Sequence, residues 1–97
     1  MQQELRRFAH ARGWEQFHTP RSLLLALVAE IGELAELYQW ARDGHEAPPD
    51  RVAEEVADVV IYLLRFSDVV GVDIESAVAS KLELNERRFP PNNSGEA

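Results

Sequence analysis

Four acidic side chains stand where helical periodicity asks for apolar ones: Glu30 and Glu33 in one amphipathic segment, Glu55 and Asp58 in another. At about 100° of rotation per residue, Leu23, Ala26, Leu34 and Leu37 fall within about 40° of Glu30, with Glu33 about 60° away. In the second segment Val59, Tyr62, Phe66 and Val69 cluster around Glu55 in the same way, again with Asp58 about 60° off. Carboxylates turned toward an apolar interior lose hydration and repel one another unless protons or cations compensate. Hard divalent cations with oxygen ligands suit such a set best. A single acid beside an apolar stripe commonly keeps its head in water. Two i, i+3 pairs in successive segments, both inside the stripe, favour a metal site over a solvated face.

Other side chains with chemical capacity are fewer. Lys81 is the only lysine, and Asn85 and Arg88 follow it at i+4 and i+7 on one helical face. That face either meets an anion or is ordinary solvated surface. Trp14 and Trp40 can stack on a base or simply fill a core, and Tyr62 lies one turn beyond Asp58, where its hydroxyl reaches toward a metal-bound phosphate or its ring packs. Phe17 and His18 either line a ligand or only set a turn. The chain has no cysteine, which removes thiolate metal sites and cysteine nucleophiles. Ser22, Ser67, Ser76 and Ser80 have no matched histidine and acid for nucleophilic catalysis. A di-iron carboxylate centre needs two Glu-x-x-His motifs, and only Glu15-x-x-His18 is present.

The elements that must position these residues read as helices throughout. A short first helix over 2–12 carries Leu5, Phe8 and Ala9 at helical spacing and is stopped by Gly13. Residues 14–18 form a linker, and Thr19-Pro20 supplies an N-cap followed by proline at the first helical position. The second helix is expected from Pro20 to about Arg42, and 43–49 reads as a loop. Asp50 is the expected cap of a third helix running to about Val70, where Gly71 ends it. Asp73 caps a fourth, which continues until Pro90. Residues 1–90 form one domain and 91–97 a disordered tail. A second apolar stripe, Leu24, Val28, Ile31 and Ala35, predicts homo-oligomerisation through helix faces. The predicted fold is all-α, a four-helix bundle assembled as a homo-oligomer.

Composition narrows the function classes. The 97 residues suit one domain, and 45% hydrophobic content is that of a soluble globular chain. A formal charge of −7 disfavours binding to nucleic acid polymers and offers no polybasic membrane patch. The acids interrupt every apolar stretch well before about 18 residues, so neither a membrane span nor a secretory segment is expected, and the default location is cytoplasmic.

Glu30-x-x-Glu33, 21 intervening residues and Glu55-x-x-Asp58 together resemble the signature of the MazG-type all-α nucleoside triphosphate pyrophosphohydrolases. The strings at 14–21, 33–40 and 54–63, with Lys81-x-x-x-Asn85, are similar to the dCTP pyrophosphatase branch of that family, and the likeness runs from about Leu5 to Pro90. The resemblance implies cleavage between the α and β phosphates of a (d)NTP, dCTP or a modified dCTP, to monophosphate and pyrophosphate in nucleotide-pool house-cleaning. It implies that Glu30, Glu33, Glu55 and Asp58 hold Mg²⁺, with Mn²⁺ as a substitute, and that Glu30 or Glu33 takes the attacking water's proton. Trp14, Trp40, Tyr62, Lys81, Asn85, His18 and Arg88 become the substrate-binding candidates, in a tetramer built as a dimer of dimers. One departure weakens base selectivity: Leu5 stands where the vertebrate-like members carry a histidine. The reading from a different class is a noncatalytic helical oligomerisation module whose acids form a solvated face.

Overall fold

The computed structural model describes residues 1–39 and 47–91. Among these residues lie four α-helices, α1 (Gln2–Ala11), α2 (Pro20–Glu36), α3 (Pro49–Val69) and α4 (Ile74–Arg88), one 3₁₀ turn at Trp14–Phe17, and no strand.

Local chemistry sets most of the boundaries. Gly13 adopts φ 65° after α1, a conformation that costs a side-chain-bearing residue energy, and the chain reverses there into the 3₁₀ turn. The Thr19 side chain accepts from Ser22 N while the Ser22 hydroxyl accepts from Thr19 N, each at 3.1 Å, and Pro20 is preset for the first turn of α2. Gly71, φ 79°, follows α3, and the Asp73 carboxylate accepts from Ser76 N to start α4.

Two boundaries differ from expectation. α2 ends at Glu36 rather than near Arg42, because Leu37, Tyr38 and Gln39 donate to the carbonyls of Leu34, Ala35 and Glu36, three residues back, and tighten the chain into a turn. At α3 the cap is Pro48, not Asp50. Pro49 occupies the first helical position, where its missing N–H is no loss, and Asp50 lies in the first turn, where its charge suits the helix dipole. Residues 40–42, expected within α2, lie outside the described residues, as does most of the expected tail.

Packing separates α1–α3 from α4. α2 packs against α3, and α1 packs against α3 as well. Leu23 and Leu27 of α2, Leu64 of α3 and Ala9 of α1 form the buried core. Burying Leu23, 2% exposed, contributes roughly 2 kcal/mol. α4 buries none of its residues. The radius of gyration is 17.3 Å, against about 12.5 Å for a compact chain of this length. The second apolar stripe is in the open: Leu24, Val28, Ile31 and Ala35 are all exposed. No helix of the described residues is long and apolar enough to cross a membrane.

Candidate active site

The α2–α3 interface places three of the four predicted acids together. Glu30 from α2 and Glu55 and Asp58 from α3 are half-buried and offer carboxylate oxygens within 4.8 Å of one another. Their neighbours on the same stripe, Ala26, Leu34, Val59 and Tyr62, are half-buried as well, so the acids face the seam between the helices and not open water. Glu33 is exposed and stands outside that trio, yet its charge acts on both Glu30 and Glu55.

Electrostatic conflict is concentrated here. Glu30 is pushed up from 4.5 to about 7, first by hydrogen bonding with the Glu33 carboxyl, then by desolvation, then by repulsion from Glu33, Asp58 and Glu55. Glu55 is raised chiefly by desolvation, with repulsion from Glu33 next. Glu30 Oε2 and Glu55 Oε2 are sealed from solvent without a hydrogen-bond partner among the described residues. Orphaned buried carboxylate oxygens are costly unless a proton or cation meets them. The all-oxygen donor set fits a hard divalent ion.

A cavity of about 510 Å³ opens beside the trio and shares Asp58 with it. Leu5, Phe8 and Ala9 of α1 form one wall, Ile61, Tyr62 and Arg65 of α3 another, and Trp14 and His18 close the side between them. Trp14 meets Phe8 edge to face, with centroids 5.5 Å apart, and is 44% exposed, which leaves ring surface free for a planar ligand. The His18 ring is tilted against Trp14 at 6.2 Å.

The structure therefore gathers Trp14, His18, Tyr62 and Asp58 around one space. Leu5, noted in the sequence as a departure, lines that same space with an aliphatic side chain. Trp40 lies outside the described residues. Lys81, Asn85 and Arg88 are on α4 and line neither this cavity nor the acidic trio; Asn85 is half-buried and the other two are exposed.

Arg65 is a lining residue that the sequence reading passed over. It is 5% exposed, its Nη1 donates to Asp68 Oδ2 at 3.2 Å and its Nε donates to His18 Nδ1 at 3.3 Å. Its signal was present, seven residues past Asp58 and so about 20° from it on the same face of α3.

With this geometry in hand, similarity to known proteins is informative. The MazG-like family model matches residues 25–96. dCTP pyrophosphatase 1 of Homo sapiens is 52% identical over 90 residues, covering 86% of this chain and 53% of that protein, and the Mus musculus protein of the same name is equally similar. The chain spans about half the length of these curated relatives. A pyrophosphatase of known structure from Archaeoglobus fulgidus superposes with a TM-score of 0.76 at 38% identity, over 92% of this chain and 88% of that one. A family match across most of the chain, joined to this structural likeness, establishes that the chain belongs to the MazG-like family and, within it, is similar to the dCTP pyrophosphatases.

Proposed function

We propose that this chain is a Mg²⁺-dependent nucleoside triphosphate pyrophosphohydrolase that cleaves the α–β phosphate bond of dCTP or a modified dCTP in nucleotide-pool house-cleaning. The observation that carries this reading is the shared position of Asp58, which belongs both to the carboxylate trio and to the wall of the aromatic cavity. A base seated between Trp14 and Tyr62 has its phosphates directed to the acids. The relatives' names, dCTP pyrophosphatase 1 and, over a shorter stretch, dATP/dGTP diphosphohydrolase of a Salmonella phage, support the substrate class.

Glu30, Glu55 and Asp58 hold the metal in this reading. When bound, it neutralises phosphate charge and lowers the pKa of water. Glu33, outside the trio but within reach of Glu30, receives the proton of the attacking water. Water oxygen bonds to the phosphorus, the bond to the bridging oxygen breaks, and pyrophosphate leaves with the monophosphate retained until release. Lys81 and Asn85 supply positive charge and a hydrogen-bonding amide to the triphosphate from a second copy of the chain. Two features support that assembly. No residue of α4 is fully buried within its own chain, and only Ile74 and Asn85 are half-buried. The accessible surface, 7856 Å², exceeds the roughly 5,600 Å² of a compact 11.0 kDa monomer. A tetramer formed as a dimer of dimers covers the exposed stripes of α2 and α4.

The direct test incubates the protein with each canonical dNTP and several 5-modified pyrimidine triphosphates in Mg²⁺ and identifies products by phosphorus NMR. Monophosphate plus pyrophosphate is the expected pair. Diphosphate plus orthophosphate, or no hydrolysis, contradicts the reading.

A further inference from the structure

Arg65 is the only charged side chain buried among the described residues, and it is buried against the aromatic cavity. A guanidinium carries five N–H donors in one plane and accepts nothing. Asp68 takes one of them and His18 Nδ1 another. No Arg65 nitrogen is sealed from solvent without a partner, and the residue lines the cavity, where its remaining donors can meet a ligand. The contact with His18 has a second result. A neutral imidazole that accepts at one nitrogen carries its proton on the other, so His18 presents Nε2–H. Burial, and next the Arg65 charge, hold the imidazole below its usual range and keep it neutral. Among the described residues nothing accepts from that N–H. Asp68 is itself fixed by Arg6, whose Nε donates to both carboxylate oxygens at 2.9 and 3.0 Å, so Arg65 is anchored from behind.

We propose that Arg65 and His18 form a donor-only surface that selects cytosine over uracil and thymine. The idea rests on the pyrophosphohydrolase reading above. Cytosine presents two adjacent acceptors, O2 and N3. Uracil and thymine present O2 beside an N3–H, which sets a donor against a donor. A pocket with desolvated donors discriminates strongly against a ligand that cannot accept from them. Arg65 acts twice, by contact with the base and by positioning His18 in the tautomer that donates. Asp58, the cavity's carboxylate, belongs to the acidic trio as well.

Two measurements test this on the whole chain. Long-range proton–nitrogen NMR of the histidines is expected to show His18 as the Nε2–H tautomer in the wild type, and a mixture of tautomers in Arg65→Met. Steady-state kinetics with dCTP and dUTP in Mg²⁺ are expected to show kcat/KM for dCTP falling about tenfold or more in Arg65→Met, mainly through KM, while dUTP changes little. His18→Phe should lose the same discrimination, and His18→Gln, which keeps a donor near the Nε2 position, should retain part of it. These two variants carry the test if circular dichroism shows Arg65→Met unfolded. An active wild type whose His18 is the Nδ1–H tautomer, or whose folded variants keep the dCTP to dUTP ratio, overturns this inference alone. A wild type that hydrolyses no triphosphate overturns both it and the activity beneath it.

Discussion

Glu30 Oε2 on α2 and Glu55 Oε2 on α3 are both shut away from solvent and both without a hydrogen-bond partner among the described residues. Two helices that pack along each other thus meet at a point of electrostatic conflict, and under the proposed function a metal bound there would be coupled to the fold. Adding Mg²⁺ or Mn²⁺ to chelator-treated protein is expected to raise Tm, because an ion bound only by the native state stabilises it by mass action. Glu30→Gln removes a repulsive charge, so its metal-free Tm should match or exceed the wild type. Its turnover should fall by more than about a hundredfold, since even indirect loss of ligand support costs up to that much. Differential scanning calorimetry with and without Mg²⁺, beside the product assay, decides the matter; a variant that keeps both turnover and its Mg²⁺ response contradicts the assignment.

The same carboxyls set a pH dependence whose sign follows from the direction of their shifts. The folded-state pKa of Glu30 is raised from 4.5 to about 7, and that of Glu55 is raised too. The native state therefore binds protons that the unfolded chain releases. Their contribution is fully present below about pH 4.5 and is lost as pH rises through about 7. Metal-free Tm should decline across that window, and the decline should flatten in Glu30→Gln. Mg²⁺ affinity should run the other way and strengthen with pH, because the ion displaces those protons. A metal-free Tm that climbs steadily across this range in the wild type contradicts both expectations.

The anchoring of Arg65 predicts an asymmetry between its neighbours. Asp68, 13% exposed, is held below the usual carboxylate range by its hydrogen bonds from Arg6, with the Arg6 and Arg65 charges adding to the effect against desolvation. Asp68→Asn leaves a guanidinium that is 6% exposed without its countercharge, at a cost of about 3 kcal/mol. Arg6 is more than half exposed, and its removal should cost a small fraction of that. Urea unfolding of the two variants measures the difference, and equal losses would show that Arg65 is neutralised from elsewhere.

Thr19 offers a purely local prediction. Thr19→Ala removes the acceptor for Ser22 N and the reciprocal arrangement around it, which should cost about 1 kcal/mol without changing the acidic site. Thermal unfolding should report the loss while Mg²⁺-dependent activity at 25 °C, a temperature well below about 45 °C where mesophile domains begin to melt, stays near wild type.

Features governed by nearby chemistry were readable from the chain. The caps at Thr19 and Asp73 and the stop at Gly13 each depend on a few adjacent residues, and all three occur where the pattern put them. The acids were visible because charge inside an apolar stripe violates helical patterning. The end of α2 was hidden for the converse reason: Leu37 and Tyr38 continue the apolar spacing, and nothing in that spacing distinguishes i−4 from i−3 bonding. Arg65 sat on a readable face, but only the packing of α1 against α3 forms the cavity it lines, and no local pattern encodes that packing. The isolation of α4 was equally out of reach, since Ile74, Ala77, Val78, Lys81 and Leu82 recur at helical spacing whether the partner belongs to this chain or another.

Gly71 now acquires a mechanical meaning. The 15 residues of α4 extend about 22 Å. That helix has no fully buried residue, and its start is held to α1 by the Gln2 side chain, which donates to Val72 O at 3.0 Å and accepts from Ile74 N at 3.1 Å. Its heading is set where Gln2 clasps the segment after Gly71. A rotation of about 10° there swings Arg88 through about 4 Å, given that length. Small angular changes at that point thus become displacements of ångström size along α4, and the Gln2 side chain, outside the acidic trio, is what limits them.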